Sequence, residues 1–169
     1  MIWQTARHDI DLSEPRVMGI VNVTPDSFSD GGQHADARAA LAHCEQLLAE
    51  GAHILDIGGE STRPGARQPS LDEEMARVLP VVRQAVTLGV PVSVDTSRPD
   101  LMRAALDLGA DIVNDVRALA RPGAVEVLAA HPRAGVCLMH MRGAPGDMQQ
   151  APAYDDVVAE VSAFLSQRA

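Results

Sequence analysis

The sequence predicts an α/β fold built as a (β/α)8 barrel, of which about five βα units are present in a single domain spanning residues 1–169. Three observations carry this. Short apolar runs of strand length alternate with longer runs of helical periodicity. A helix, a Gly-Ala pair and a strand recur in "AEGAHILDIG" (49–58) and "DLGADIVND" (107–115), the mark of a parallel sheet with right-handed crossovers. Finally, each strand ends in polar residues: Asn22, Asp56, Asp95, Asn114 with Asp115, and His140. Both barrels and doubly wound sheets gather ligand groups at that end. The Gly-x-Gly-x-x-Gly loop of a doubly wound sheet does not follow the first strand, which favours the barrel.

Taken in order, a short N-terminal segment with hairpin character precedes a first strand at Val17–Val21. Ala35–Glu50 is helical, with Leu41, Cys44, Leu47 and Leu48 at helical spacing, and His53–Ile57 is a strand. Leu71, Met75, Val78, Leu79, Val82 and Val86 mark an amphipathic helix in which Pro80 suggests a kink. Val90–Asp95 is a strand, and Pro99–Leu108 a helix with Ser97 as its N-cap. Ile112–Asp115, Gly123–Ala130 and Val136–Met141 read as strand, helix and strand. The last helix, from Tyr154, carries Val157, Val158, Val161, Phe164 and Leu165 on one face. Gly51 and Gly109 stand where helices end in a left-handed residue.

Composition narrows the function. A net charge of -9 argues against nucleic acid or an anionic membrane surface as partner, so an anionic ligand needs local donors or a metal. Aromatic residues make up 2% of the chain, which leaves the core to Val, Leu, Ile, Ala and Met. The N-terminus lacks the apolar stretch of a secretion signal, and no segment has membrane-spanning length, so the expected location is the cytoplasm. Cys44 and Cys137 sit in apolar stretches and read as two reduced, buried thiols.

The loop "NVTPDSFSDGG" after the first strand is longer than a compact domain needs, which marks it as a binding loop or a disordered one. "DIGGESTRPGA" (56–66) offers paired glycines, the Thr62 hydroxyl and the Arg63 guanidinium, either a phosphate-binding loop or a plain surface turn. Asp95 ends an otherwise apolar run and suits an N–H/NH2 edge that donates two parallel hydrogen bonds; capping the next helix is its plainer role. Asn114 both donates and accepts, as a heterocyclic edge requires, or else pairs with its own turn. Asp111 and Asp115 read as structural. The histidines are scattered, without zinc-ligand spacing.

Together "VMGIVNVTPDSFSDGG", "LDIGGESTRPGA", "SVDTS", "DIVNDV" and "LMHM" resemble the dihydropteroate synthase family of folate biosynthesis, a TIM-barrel family. The resemblance implies condensation of 6-hydroxymethyl-7,8-dihydropterin diphosphate with 4-aminobenzoate, releasing pyrophosphate. It implies Mg2+ held by Asn22, and Asp95, Asn114 and Arg63 as catalytic residues. Thr62 and Arg63 would serve the anion, and Phe28 and Pro64 the aminobenzoate. Asp95 and Asn114 would read the pterin edge, with Asp56 beneath them and Val116 and Met139 against the ring. The family's later Asp, Lys and Arg-x-His contributors, and the helices through which it usually forms homodimers, have no counterpart in these 169 residues. A truncated pterin-binding fragment completed by a partner chain is therefore the alternative reading. A pterin-dependent methyltransferase is a weaker one, because a methyl donor needs no diphosphate loops.

Overall fold

The computed structural model describes residues 1–24, 33–61, 67–143, 148 and 151–169, with the backbone alone for 33–36. A two-stranded antiparallel hairpin, β1 (Ile2–Gln4) and β2 (Asp9–Asp11), precedes a five-stranded sheet. The sheet comprises β3 (Met18–Asn22), β4 (Ile54–Gly58), β5 (Val92–Asp95), β6 (Ile112–Asp115) and β7 (Gly135–Leu138). Helices α1 (Gln33–Ala49), α2 (Leu71–Ala85), α3 (Pro99–Asp107) and α4 (Ala124–Ala130) connect successive strands, and α5 (Val157–Arg168) follows β7.

All sheet pairs are parallel and run in sequence order, β3-β4-β5-β6-β7. A doubly wound sheet reverses direction at its switch point and buries its first strand among the others. Here β3 lies at an edge and nothing reverses. The topology is five βα units of an incomplete (β/α)8 barrel.

Strand alternation sorts the side chains onto two faces. Val21, Ile57, Val94, Val113 and Val136 form one registered row facing the helices. The first four are fully buried with Cys44, Val78, Val81, Val82, Leu101, Met102 and Ala105. At the end of that row Val136 keeps 36% exposure. The adjacent rows face inward: Ile20, Asp56, Ser93, Ile112 and Gly135, then Asn22, Gly58, Asp95, Asn114 and Cys137. Ile20 is 61% exposed on this concave face.

The hairpin plugs the N-terminal end of the inner face. Ile10 is buried against Ile54 and Ile112, with Trp3, Leu12 and Met18 around them. Gly135 admits the Trp3 ring: a Cβ there would lie 2.9 Å from it. Asp111, fully buried, clamps the hairpin to the barrel by accepting from Arg7 N (3.0 Å), Arg7 Nη2 (2.6 Å) and Val92 N (3.0 Å).

The predicted helix-ending glycines behave as expected. Gly51 has φ +103° and Gly109 φ +101°. After α1 the amides of Gly51 and Ala52 return to the carbonyls of Leu48 and Leu47; after α3, Gly109 and Ala110 return to Leu106 and Ala105. α2 starts in a capping box between Ser70 and Glu73 and continues through Pro80.

Four expectations are corrected. The N-cap of α3 is Arg98, without a side-chain cap; Ser97 instead gives its hydroxyl to Asp115. β7 ends at Leu138, so Met139, His140 and Met141 lie beyond the strand. α5 begins at Val157 and fully buries none of its residues: Phe164 meets the His140 ring edge-on at 4.9 Å, while Val157 and Val158 stay exposed. Cys137 is exposed, since it faces inward on an edge strand.

Candidate functional site

The C-terminal ends of the strands bring the predicted polar residues together. Asn22, Gly58, Asp95 and Asn114 occupy one registered row, so Asn22, Asp95 and Asn114 project from the same face. Gly58 has a steric reason: a Cβ there would sit 3.2 Å from the Asp95 Cβ. Asn114 Nδ2 donates to Asp56 Oδ2 across 2.9 Å, although β4 and β6 are separated by β5. In a flat sheet, strands two apart lie about 9.5 Å from each other. The concave curvature of the inner face is what lets these side chains meet.

This floor is acidic and poorly solvated. Asp56 is buried, and its Oδ1 and the Ser93 hydroxyl beside it have no well-formed hydrogen bond among the described residues. Burial raises the Asp56 carboxyl, against the opposing influence of Ser93 and Asn114. Burial, followed by the charges of Asp56, Asp115, Glu60 and Glu74, pushes Asp95 up to about 7. Near neutral pH Asp95 therefore exchanges between donor and acceptor forms, the poise expected of a functional carboxyl.

Around the floor runs a frame that binds the loops together. Asp115, fully buried, accepts from Ser97 Oγ, Arg117 N (2.8 Å) and Leu119 N (2.8 Å). Glu74 lies within the α2 core face, where Thr96 Oγ1 donates to it at 2.8 Å. Its Oε2 stands 2.7 Å from Arg98 Nε, an ion pair by distance without hydrogen-bond alignment. Burial raises the Glu74 carboxyl despite Thr96 and Arg98. Val116 and Met139 line a cavity of about 420 Å3 with Arg117, Ala120, Met141 and Phe164, and neither Asp95 nor Asn114 reaches it.

A family model described as "Pterin binding enzyme" matches residues 18–169. The chain belongs to this family of pterin-binding enzymes. It is 57% identical over 170 residues to a dihydropteroate synthase of Neisseria meningitidis serogroup C, spanning 99% of this chain and 60% of that protein. The Escherichia coli K12 dihydropteroate synthase is 54% identical over 157 residues, covering 92% of this chain and 55% of its own length. Among solved structures, Yersinia pestis dihydropteroate synthase with a sulfonamide drug superposes with TM-score 0.90 at 46% identity, covering 99% of this chain and 61% of that one. Burkholderia cenocepacia dihydropteroate synthase complexed with 7,8-dihydropteroate gives TM-score 0.85 at 45% identity, covering 99% and 56%. The chain thus spans about three-fifths of the length of the relatives it matches.

Of the residues the sequence points to, Phe28, Thr62, Arg63 and Pro64 lie outside the described residues. Asn22 is exposed at the end of β3. Among the described residues no group of three or more His, Cys, Asp or Glu is arranged to hold a metal. No described helix is long and apolar enough to cross a membrane. The residues that sequence reasoning missed are Ser93 in the floor and Glu74, Glu60 and Arg117 around it. Glu74 had left a trace, because it stands four residues before Val78 on the apolar stripe of α2.

Proposed function

We propose that this chain carries the pterin-binding part of a dihydropteroate synthase, joining 6-hydroxymethyl-7,8-dihydropterin diphosphate to 4-aminobenzoate with release of pyrophosphate. The observation that carries it is the inward row Asn22, Asp95 and Asn114, with Asn114 oriented by buried Asp56. An ionised Asp95 accepts paired N–H donors, and Asn114 meets a neighbouring donor or acceptor; a pterin edge presents both. Val116 and Met139 supply apolar surface for the ring, while Thr62, Arg63, Phe28 and Pro64 serve the diphosphate and the aminobenzoate.

A hard cation fits this arrangement in one way. Asn22 presents an exposed amide at the strand end, and Mg2+ is commonly held by few protein ligands together with substrate phosphates and water. Bound there through Asn22, Mg2+ would neutralise charge on the departing pyrophosphate. The protein's own part is to hold the pterin at Asp95 and Asn114, keep it from water, and place carboxylates beside positive charge that develops on the ring. A cytoplasmic location completes the proposal.

A second reading is supported by the open inner face and by the two edges of the sheet, β3 and β7, which pair with no further strand among the described residues. In it the chain binds pterin but turns over only with a companion polypeptide. The test measures pyrophosphate release by the chain alone and mixed with the C-terminal part of a matching synthase. Turnover alone favours the first reading, and turnover only in the mixture favours the second. No turnover in either, with no calorimetric binding of pterin, overturns both.

A further inference from the structure

We infer that Arg117 is a positioning residue that fixes both ends of the connection after β4 against the ends of β5 and β6. This rests on the reading above, in which that connection carries Thr62, Arg63 and Pro64. Arg117 Nη2 donates to Glu60 Oε1 at 3.3 Å, and Nη1 donates to Ser97 Oγ at 3.1 Å. Ser97 passes its own hydrogen to Asp115, which also accepts the Arg117 amide at 2.8 Å. One guanidinium therefore ties residues following three successive strands.

Glu60 extends the tie across the connection. Its Oε1 also accepts from Gln68 Nε2 at 3.2 Å, so one carboxylate oxygen joins residues on both sides of 62–66. The stems have further anchors. Arg77 Nη1 donates to the Gly59 carbonyl at 3.5 Å, and Arg98 Nη2 to the Pro69 carbonyl. Arg67 pairs with Glu73 in the capping box of α2. Arg98 joins the stem to the β5 end alone, whereas Arg117, itself beyond β6, joins it to the ends of both β5 and β6. Both members are largely shielded, with side chains 20% and 12% exposed, so the pair is screened less than a surface bridge.

The reach of a short connection is set by where its ends are held. With Glu60 and Gln68 held to the β6 end, the two points between which residues 62–66 run are fixed relative to Asp95 and Asn114. Loss of the tie acts on the anionic end of the ligand and leaves the pterin edge alone.

The test compares the 169-residue chain with Arg117→Met, Arg117→Lys and Glu60→Gln. In hydrogen–deuterium exchange without ligand, Arg117→Met and Glu60→Gln should speed the amides of residues 59–61 and 67–70 by about tenfold. Exchange in β5 and β6 should hold, and Arg117→Lys should restore much of the protection. Unchanged stems, or equal acceleration throughout the strands, would overturn the assignment. In calorimetry, Arg117→Met should weaken the pterin diphosphate by about tenfold, a loss of one charge-assisted hydrogen bond, and barely affect 6-hydroxymethylpterin. Equal losses for the two ligands would likewise overturn it. Loosened stems in a chain whose parent binds neither ligand would support the tie and count against the pterin-diphosphate reading.

Discussion

Asp56 and Asn114 meet across the intervening strand, Oδ2 to Nδ2 at 2.9 Å, and this bond turns two separate strand ends into one recognition surface. The carboxylate takes the amide nitrogen and so orients the Asn114 side chain. It follows that Asn114→Ala would strip a buried carboxylate of its best donor. We expect a loss of about 1–3 kcal/mol at pH 8, measured by urea unfolding. Because a carboxyl already raised by burial would rise further, the loss should shrink as pH falls and the carboxyl takes up its proton.

Asp95→Ala should weaken pterin binding by about 1.5–3 kcal/mol, the range for hydrogen bonds to a charged group, in a chain that retains its fold. Calorimetry with unchanged affinity would remove Asp95 from the site.

The same residue makes stability depend on pH in a definite direction. Asp95 is raised from 3.8 to about 7, so between those values the folded chain holds a proton that the unfolded chain has lost. Stability must fall as pH rises through that window and level off above about 7. Asp95→Asn removes this penalty. Its thermal midpoint should gain on the parent's from pH 4.5 to 7 and then stay parallel. A difference that does not vary with pH would contradict the partly buried, carboxylate-crowded environment.

For Asn22 the discriminating variable is the diphosphate. Asn22→Ala should reduce Mg2+-dependent binding of the pterin diphosphate and leave the hydroxymethyl pterin almost unaffected. Equal losses would place Asn22 on the ring rather than on the cation.

At the opposite end of the barrel, Asp111→Ala should cost about 1–3 kcal/mol, because it leaves the Val92 and Arg7 amides without their side-chain acceptor, while the partly exposed Arg7 guanidinium keeps the Val86 carbonyl. Burial raises the Asp111 carboxyl, but Arg7, Val92 N–H and His8 outweigh it and hold it below 3.8. Its stabilisation is therefore complete above that value and lost as pH falls through the lower, folded one. Tryptophan fluorescence of Trp3 gives the local readout, since the hairpin carries that ring onto Gly135.

The sequence by itself determined the periodicities, and with them the βα alternation, the left-handed glycines at 51 and 109 and the polar character of the strand ends. These are local properties: side-chain period, backbone freedom and cap chemistry act within a few residues. Asp56, Asp95 and Asn114 were legible for the same reason, as polar groups closing apolar runs. Only the tertiary structure decided the rest. Register set Asn22, Asp95 and Asn114 in one row, and sheet curvature closed the Asp56–Asn114 gap. Partner competition moved Ser97 from its expected cap to Asp115, whose buried carboxylate needs the donor more than an exposed helix end does. The edge position of β7 left Cys137 in the open, where a strand apolar on its own terms had promised burial. Burial and hydrogen bonding between distant segments depend on which neighbours arrive, and no local pattern encodes that.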